Sequence, residues 1–567
     1  MDNKNVFVAI ALSMSVLLFW GAFFETPNKD DQSLKTNNQV QQKTENEIAP
    51  NTNQTLSINQ PTIEKKLSRK ESVNKSNRIK IENDNIIGSV SLDGGLIDDI
   101  SFKNHKQKVN GEKNIEFLNP SQSENGFYVE SGWASIGNNI KVPTKNSKWK
   151  IEGNKTLTEK SPITIKWDNK EGIIFKKIIE LDEKYLFKIN QEIQNNSSAN
   201  IELYPYAQIT RNKVPDDIQN FYISHEGFIG VFDDELKEDD YDDIKDNKIV
   251  RETNEGWLGI TDKYWMTVLV PENGKNFKST FQYNKSFKAN YIINEPVKIN
   301  SSSKGSNNFR LFVAAKEVNT IDTYAETQNI NKLDLVIDWG WFYFFTKPLF
   351  FVIDYLFKLS GNFGTAIVLI TLAIRALFFP LANFSFRSMA KMKAVTPEMT
   401  RLKELYKDDK VKLQQEMMAL YRKEKINPAS GCLPVLIQIP FFFAIYKMLF
   451  ISLEMRHQPF FGWIKDLSAA DPTSIFNIFG LIPWDPPGFM IIGIWPILMG
   501  ASMWVQQKLN PAPTDPIQAK IFAFFPLFLT IILASFPSGL VVYWTVNNIL
   551  TIAQQWVINK NTTVNTN

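Results

Sequence analysis

LITLAIRALFFPL (residues 369–381) sets one arginine, Arg375, inside an otherwise apolar run. A charged side chain at mid-bilayer costs about 2.5 to 3.5 kcal/mol on insertion scales, so what surrounds Arg375 decides the fold. The run extends over 362–382, close to the roughly 20 residues that a helix needs to cross a bilayer. Four further stretches of similar character follow at 431–453, 489–505, 520–536 and 538–558. A sixth, VFVAIALSMSVLLFWGAFF (6–24), lies near the start; it runs through Trp20 and Phe23 into Glu25 without a small-residue cleavage site, which predicts an uncleaved signal anchor over 1–26.

Between the first span and the other five the texture changes. Residues 27–78 are rich in Asn, Gln, Lys, Ser and Thr and offer too little apolar area to offset ordering entropy, which predicts a disordered linker. From 79 to 330 short alternating runs are separated by turn residues such as SLDGGLIDD and VPENGKN. In one of them Tyr185, Phe187, Ile189 and Ile193 share a parity against Lys188, Asn190 and Glu192, and FRLFVAAKE (309–317) is similar. An antiparallel all-β sandwich follows. WGWFYFFTKPLFFVIDYLFKLSGN, interrupted by Thr346, Lys347, Asp354 and Lys358, predicts an interfacial amphipathic helix within 331–361.

Orientation comes from the connections. Residues 383–430 hold eleven Lys and Arg, including Arg387, Arg401 and Arg422, whereas 454–488 hold only Arg456 and Lys465. The basic segment is therefore cytoplasmic, the β-domain lies outside, and both chain ends face the cytoplasm. Val395, Met399, Leu402 and Leu405 share one helical face, and Met417, Leu420 and Tyr421 share another, with Asp408 and Asp409 between them. These faces favour a packed two-helix hairpin over a solvated basic linker drawn to anionic headgroups.

Arg375 falls about 20 Å from the outer end of its span, in the inner half of the membrane. Depth alone leaves two readings, a snorkelling stem or a water-filled cavity open to the cytoplasm. Thr371 one turn away, Gln438 in the next span, and Trp544, Asn548, Thr551 and Gln555 on one stripe of the last span tilt the balance toward water, although such groups also glue helices together.

Covalent chemistry finds no footing. His105 and His225 stand outside any recognisable constellation, the single cysteine, Cys432, permits no internal disulfide, and no HExxH, GxSxG or phosphate loop occurs. No cofactor, metal or enzymatic activity is expected, and a formal charge of +3 over 567 residues points to no nucleic acid.

SMAKMKAVTPEMTRLKE, QQEMMALYRKEKINPASGCLPVLIQIPFFFAIYKML, LSAADP, DPIQAKIFAFFP and FPSGLVVYWTVNNILTIAQQ resemble the YidC family of membrane protein insertases over essentially all of 340–560. The resemblance implies a polytopic α-helical membrane protein with six transmembrane helices. It implies a large periplasmic all-β sandwich, similar to galactose-mutarotase-type domains without that activity, and a five-helix insertase domain over 362–560. Within that domain it implies a hydrophilic groove in the inner leaflet, with Arg375, Thr371, Gln438, Tyr543 and Trp544 at groove positions, and a cytoplasmic hairpin that receives substrates. Implied partners are nascent membrane proteins, the Sec translocon, the ribosome, the signal recognition particle receptor and membrane lipids. FNIFGLIPWDPPGF (476–489) departs from the familiar pattern by lengthening an outer loop. Two other readings stand beside this one: a secondary transporter, against which the chain shows no internal repeat, and an anchored carbohydrate-binding or epimerase protein whose function sits in 79–330.

Overall fold

The computed structural model describes residues 67–564 apart from 137–139, 217, 219–223, 341, 427–432, 485 and 511–515. The expected anchor (1–26), residues 27–66 of the expected linker (27–78), and Cys432 lie outside the described residues. The remainder of that linker is ordered, with a Ser68-capped helix at Arg69–Asn74 whose Arg69 donates to Ser101 Oγ at 2.9 Å, and a strand that begins at Arg78. The chain divides into two compact units, the first ending at Trp341 and the second running from Phe342.

In the first unit, β-branched and aromatic residues recur at period two and force strands. Ile173–Leu181 (IIFKKIIEL) buries Ile173, Phe175, Ile179 and Leu181 on one face and turns Ile174, Lys176, Ile178 and Glu180 to the other. Leu186–Asn195 pairs antiparallel with it and, on its other edge, with Ser303–Ala315, in a register that sets Phe187 opposite Leu311 and Ile189 opposite Phe309. The alternation expected at Phe187, Ile189 and Ile193 is therefore the buried side of a central strand. Among the described residues, eleven strands form one sheet and nine the other. Rings from the two sheets meet in the core: Phe102 stacks on Trp265 at 4.9 Å and Phe228 meets Phe281 at 5.1 Å.

Both early histidines sit beside carboxylates. His105 Nε2 lies 3.4 Å from Glu317 Oε1, and Glu317 also accepts from Tyr185 at 3.0 Å and Thr320 at 2.8 Å. Burial opposes its ionisation, but those bonds hold its carboxyl below the usual range. His225 donates to the Phe228 carbonyl at 2.8 Å, with its Nδ1 3.4 Å from Asp240 Oδ1.

The second unit is helical: α1 (Tyr343–Ser360), α2 (Phe363–Leu377), α3 (Phe379–Leu405), α4 (Lys410–Lys423), α5 (Leu433–Ile451), α6 (Ile494–Leu509), α7 (Pro516–Leu533) and α8 (Ser538–Val564). α8 is central, packing on α2, α3, α5 and α6. α1 buries Leu349, Phe350 and Ile353 on one face and leaves Phe344, Tyr355 and Leu359 exposed on the other.

Among the described residues no single helix is long and apolar enough to cross a membrane. α2 and α3 pass that test together, bent by 68° at Phe378. Pro380 explains the bend, since it has no N–H to offer the Ala376 carbonyl and its ring crowds that group. The span expected from 489 begins later, at Ile494, because Asp471 Oδ2 takes the Trp495 N–H at 3.0 Å and Thr473 Oγ1 takes the Ile494 N–H at 3.0 Å. LSAADP thus caps α6, and through Ala469 O to Ser538 N at 2.7 Å it also receives the first turn of α8.

Candidate functional site

α2, α3, α5 and α8 converge on Arg375, which lies in the last turn of α2, three residues before the 68° bend at Phe378. The half-buried guanidinium is held by amides, not by an acid. Its Nε donates to Asn547 Oδ1 at 2.8 Å, and its Nη2 donates to the same oxygen at 2.5 Å and to Gln438 Oε1 at 3.1 Å. Gln438 in turn lies within hydrogen-bonding reach of the Tyr543 hydroxyl. Thr371 is buried and donates back to the Ile367 carbonyl at 2.6 Å, so toward the site it offers only acceptor lone pairs.

Around this network lies a cleft of about 480 Å³, counting its open mouth, lined by Thr371, Ile374, Arg375, Phe378, Leu381, Ala382, Gln438, Phe441, Tyr543 and Asn547. Arg375 is the one ionised group among those ten residues. The cleft is therefore apolar in much of its wall and positive, with no counter-charge among its described lining residues.

Two family models match the chain: that of the YidC periplasmic domain over residues 78–352, and that of the 60Kd inner membrane protein over 355–565. A membrane protein insertase YidC of Pelagibacter ubique (strain HTCC1062) is 52% identical over 566 residues, covering 100% of both chains. This chain belongs to the YidC family. A second relative, the membrane protein insertase YidC of Brucella suis biovar 1 (strain 1330), is 42% identical and covers 99% of this chain and 96% of its own. A solved structure described as an active YidC insertase with the first transmembrane domain resolved is 17% identical, covers 84% of this chain and 91% of its own, and superposes with a TM-score of 0.35.

Within this YidC chain the expected site residues divide. Arg375, Thr371, Gln438 and Tyr543 come together in the cleft. Trp544, Asn548 and Thr551 do not line it. Trp544 packs edge-on to Phe442 at 4.8 Å and against the Met499, Leu533 and Val541 cluster. Asn548 donates to Ser502 Oγ at 3.0 Å and Gln555 to Asn510 Oδ1 at 3.0 Å, so this stripe joins α8 to α6 and the segment after it. Thr551 is buried and donates to the Asn547 carbonyl at 2.7 Å. Asn547, the main partner of Arg375, went unselected by sequence spacing. Its one signal is its place four residues after Tyr543, on the same helical face.

Proposed function

We propose that this insertase moves nascent membrane proteins into the bacterial inner membrane through the cleft around Arg375. The observation that carries this is the pairing of Arg375 with two amide oxygens. An acid would cancel the charge; amides orient the guanidinium and leave it positive, so an acidic segment entering the cleft meets an uncompensated cation. The apolar segment of the same substrate then passes into lipid between helices, driven by burial of about 20 apolar residues, with no nucleotide required. A polar cleft that shortens the hydrocarbon path lowers the barrier for the charged end.

In this reading the chain crosses the membrane six times with both ends in the cytoplasm, α1 lies in the interface, and the basic α3–α4 segment meets ribosome-borne substrates, the signal recognition particle receptor or anionic lipid. The β-domain is periplasmic, and insertion proceeds alone or beside the Sec translocon. Liposomes holding only the purified chain, challenged with a single-span protein bearing an acidic outer segment and scored by protease protection, test the cleft. Protection by native protein and Arg375→Lys, with a marked loss in Arg375→Ala, is the expected result. Equal protection by all three reduces Arg375 to a structural residue, and protection no better than in empty liposomes removes autonomous insertion.

A further inference from the structure

The connection between α5 and α6 carries an apolar loop that the cleft does not use. Between Ile475 and Trp484 no residue is charged, and seven large apolar side chains stand exposed, Leu481 by 81%. Their display is enforced by the backbone. Ile478, Phe479 and Gly480 follow one another in the left-handed region at φ 49°, 55° and 95°. For a β-branched isoleucine that region is strained, and strain of this kind persists where surrounding bonds over-determine it.

Those bonds are present. Phe479 N donates to Ser474 O at 2.7 Å, and Ile482 N donates to Asn477 O at 3.0 Å. The Asn477 side chain takes the Gly480 N–H at 2.9 Å and donates to Trp484 O at 3.3 Å. The loop thus answers many of its own polar groups and turns its apolar side chains outward, the arrangement that hydrocarbon tolerates and water does not favour.

Its root fixes where those side chains arrive. Ile475 N donates to Ile492 O at 3.1 Å and Ser474 Oγ to Met490 O at 2.8 Å, two and four residues before apolar α6 begins at Ile494. The loop therefore leaves the protein at the level where α6 enters its apolar environment.

We infer that residues 475–484 form a lipid anchor, a rigid apolar knob seated in the outer leaflet beside the N-terminus of α6. This rests on the reading of α6 and α7 as membrane-embedded. Phe476, Phe479 and Trp484, with the first acidic residue, Asp485, coming only after Trp484, suit the headgroup and acyl boundary, and the left-handed turn holds the loop splayed, so that seating requires little further ordering.

Nitroxide labels on Leu481→Cys and Phe476→Cys, each with Cys432→Ala in the full-length chain, test this in phosphatidylethanolamine and phosphatidylglycerol vesicles by spin relaxation with oxygen and with a water-soluble nickel chelate. Lys155→Cys on the β-domain reports water and Ile531→Cys on α7 reports lipid; both residues are exposed on the protein. The expected result is an oxygen-to-nickel ratio several-fold above that of position 155 at both loop positions, approaching that of 531. A ratio equal to that at 155, with 531 in lipid, overturns the anchor and leaves the membrane reading intact. Exclusion of both reagents at 476 and 481 also overturns it, since protein then covers the loop. Position 531 in water overturns the anchor together with the reading on which it rests.

Discussion

Arg375 and Asn547, 172 positions apart, are joined by two hydrogen bonds to a single oxygen, from Nε at 2.8 Å and from Nη2 at 2.5 Å. One amide therefore both ties α8 to α2 and sets the direction in which the guanidinium points. Bonds of this kind to a charged group are worth about 1.5 to 3 kcal/mol, so Asn547→Ala is expected to lower the stability of the purified chain by roughly that amount. Asn547→Asp separates structure from function. It strengthens the tie but cancels the charge, so thermal stability is kept or raised while insertion of a substrate with an acidic outer segment falls. Melting in detergent and protease protection, measured on the same preparations, check the pair. Full insertion by Asn547→Asp removes the electrostatic account of the cleft.

The sequence carried the polarity of this site better than its geometry. Arg375, Thr371 and Gln438 were visible as polar residues inside apolar runs, which lipid does not tolerate without a reason. Asn547 and Asn548 are adjacent, however, and helical spacing favoured Asn548 because Trp544, Thr551 and Gln555 share its stripe. That stripe exists, but it faces Ser502 and Asn510. A periodic pattern shows that a helix has a polar face and says nothing about which neighbour lies against it. The β-domain divides in the same way. Alternation at Phe187, Ile189 and Ile193 marked a strand, whereas its pairing with Ser303–Ala315, more than a hundred residues on, is a non-local choice that alternation does not encode.

α6 and α7 approach through Gly500, where an added Cβ would fall 2.0 Å from Thr530 Oγ1. Small residues allow such close crossings in membrane helices. Gly500→Leu is expected to push the helices apart and destabilise the purified chain by about 1 to 3 kcal/mol, the usual result of overpacking. Gly500→Ala with Thr530→Gly, which clears the colliding hydroxyl, should recover most of the loss in the same thermal melt. No loss in Gly500→Leu contradicts the tight crossing.

Two lysines in the β-domain core give it an alkaline signature. Lys316, donating to Thr261 Oγ1 at 2.9 Å, and Lys177, 4.9 Å from the Trp149 ring, are both buried, and desolvation pushes each down from 10.5 to about 8. Between about 8 and 10.5 the unfolded chain binds more protons than the folded one, so stability rises with pH across that window and is flat below it. The slope is at most about 1.4 kcal/mol per pH unit for each lysine. Urea unfolding of the β-domain in the full chain, followed by proteolysis at several pH values, measures it. Lys316→Met should flatten part of the rise and raise stability near neutral pH, where the buried charge is otherwise unfavourable.

α4 buries none of its residues, yet Val411 and Met418, seven positions apart on one face, are exposed at 70% and 48%. Basic residues flank them, among them Lys410, Lys412, Arg422 and Lys423. An apolar pair framed by positive charge on the exposed side of a helix whose other face, with Leu413, Met417 and Leu420, is half-buried suits capture of an emerging apolar segment or docking to a ribosome, with the charges speeding encounter and the apolar pair prolonging it. Because the pair supports no core, Val411→Ser with Met418→Ser should leave the melting temperature unchanged within about 0.5 kcal/mol, the usual range for surface changes. Insertion of ribosome-bound substrates should fall several-fold, while insertion of a released, purified substrate into the same liposomes should fall little. An equal loss with both substrates would place the pair in the insertion step itself, and no loss with either would leave α4 without a part in substrate reception.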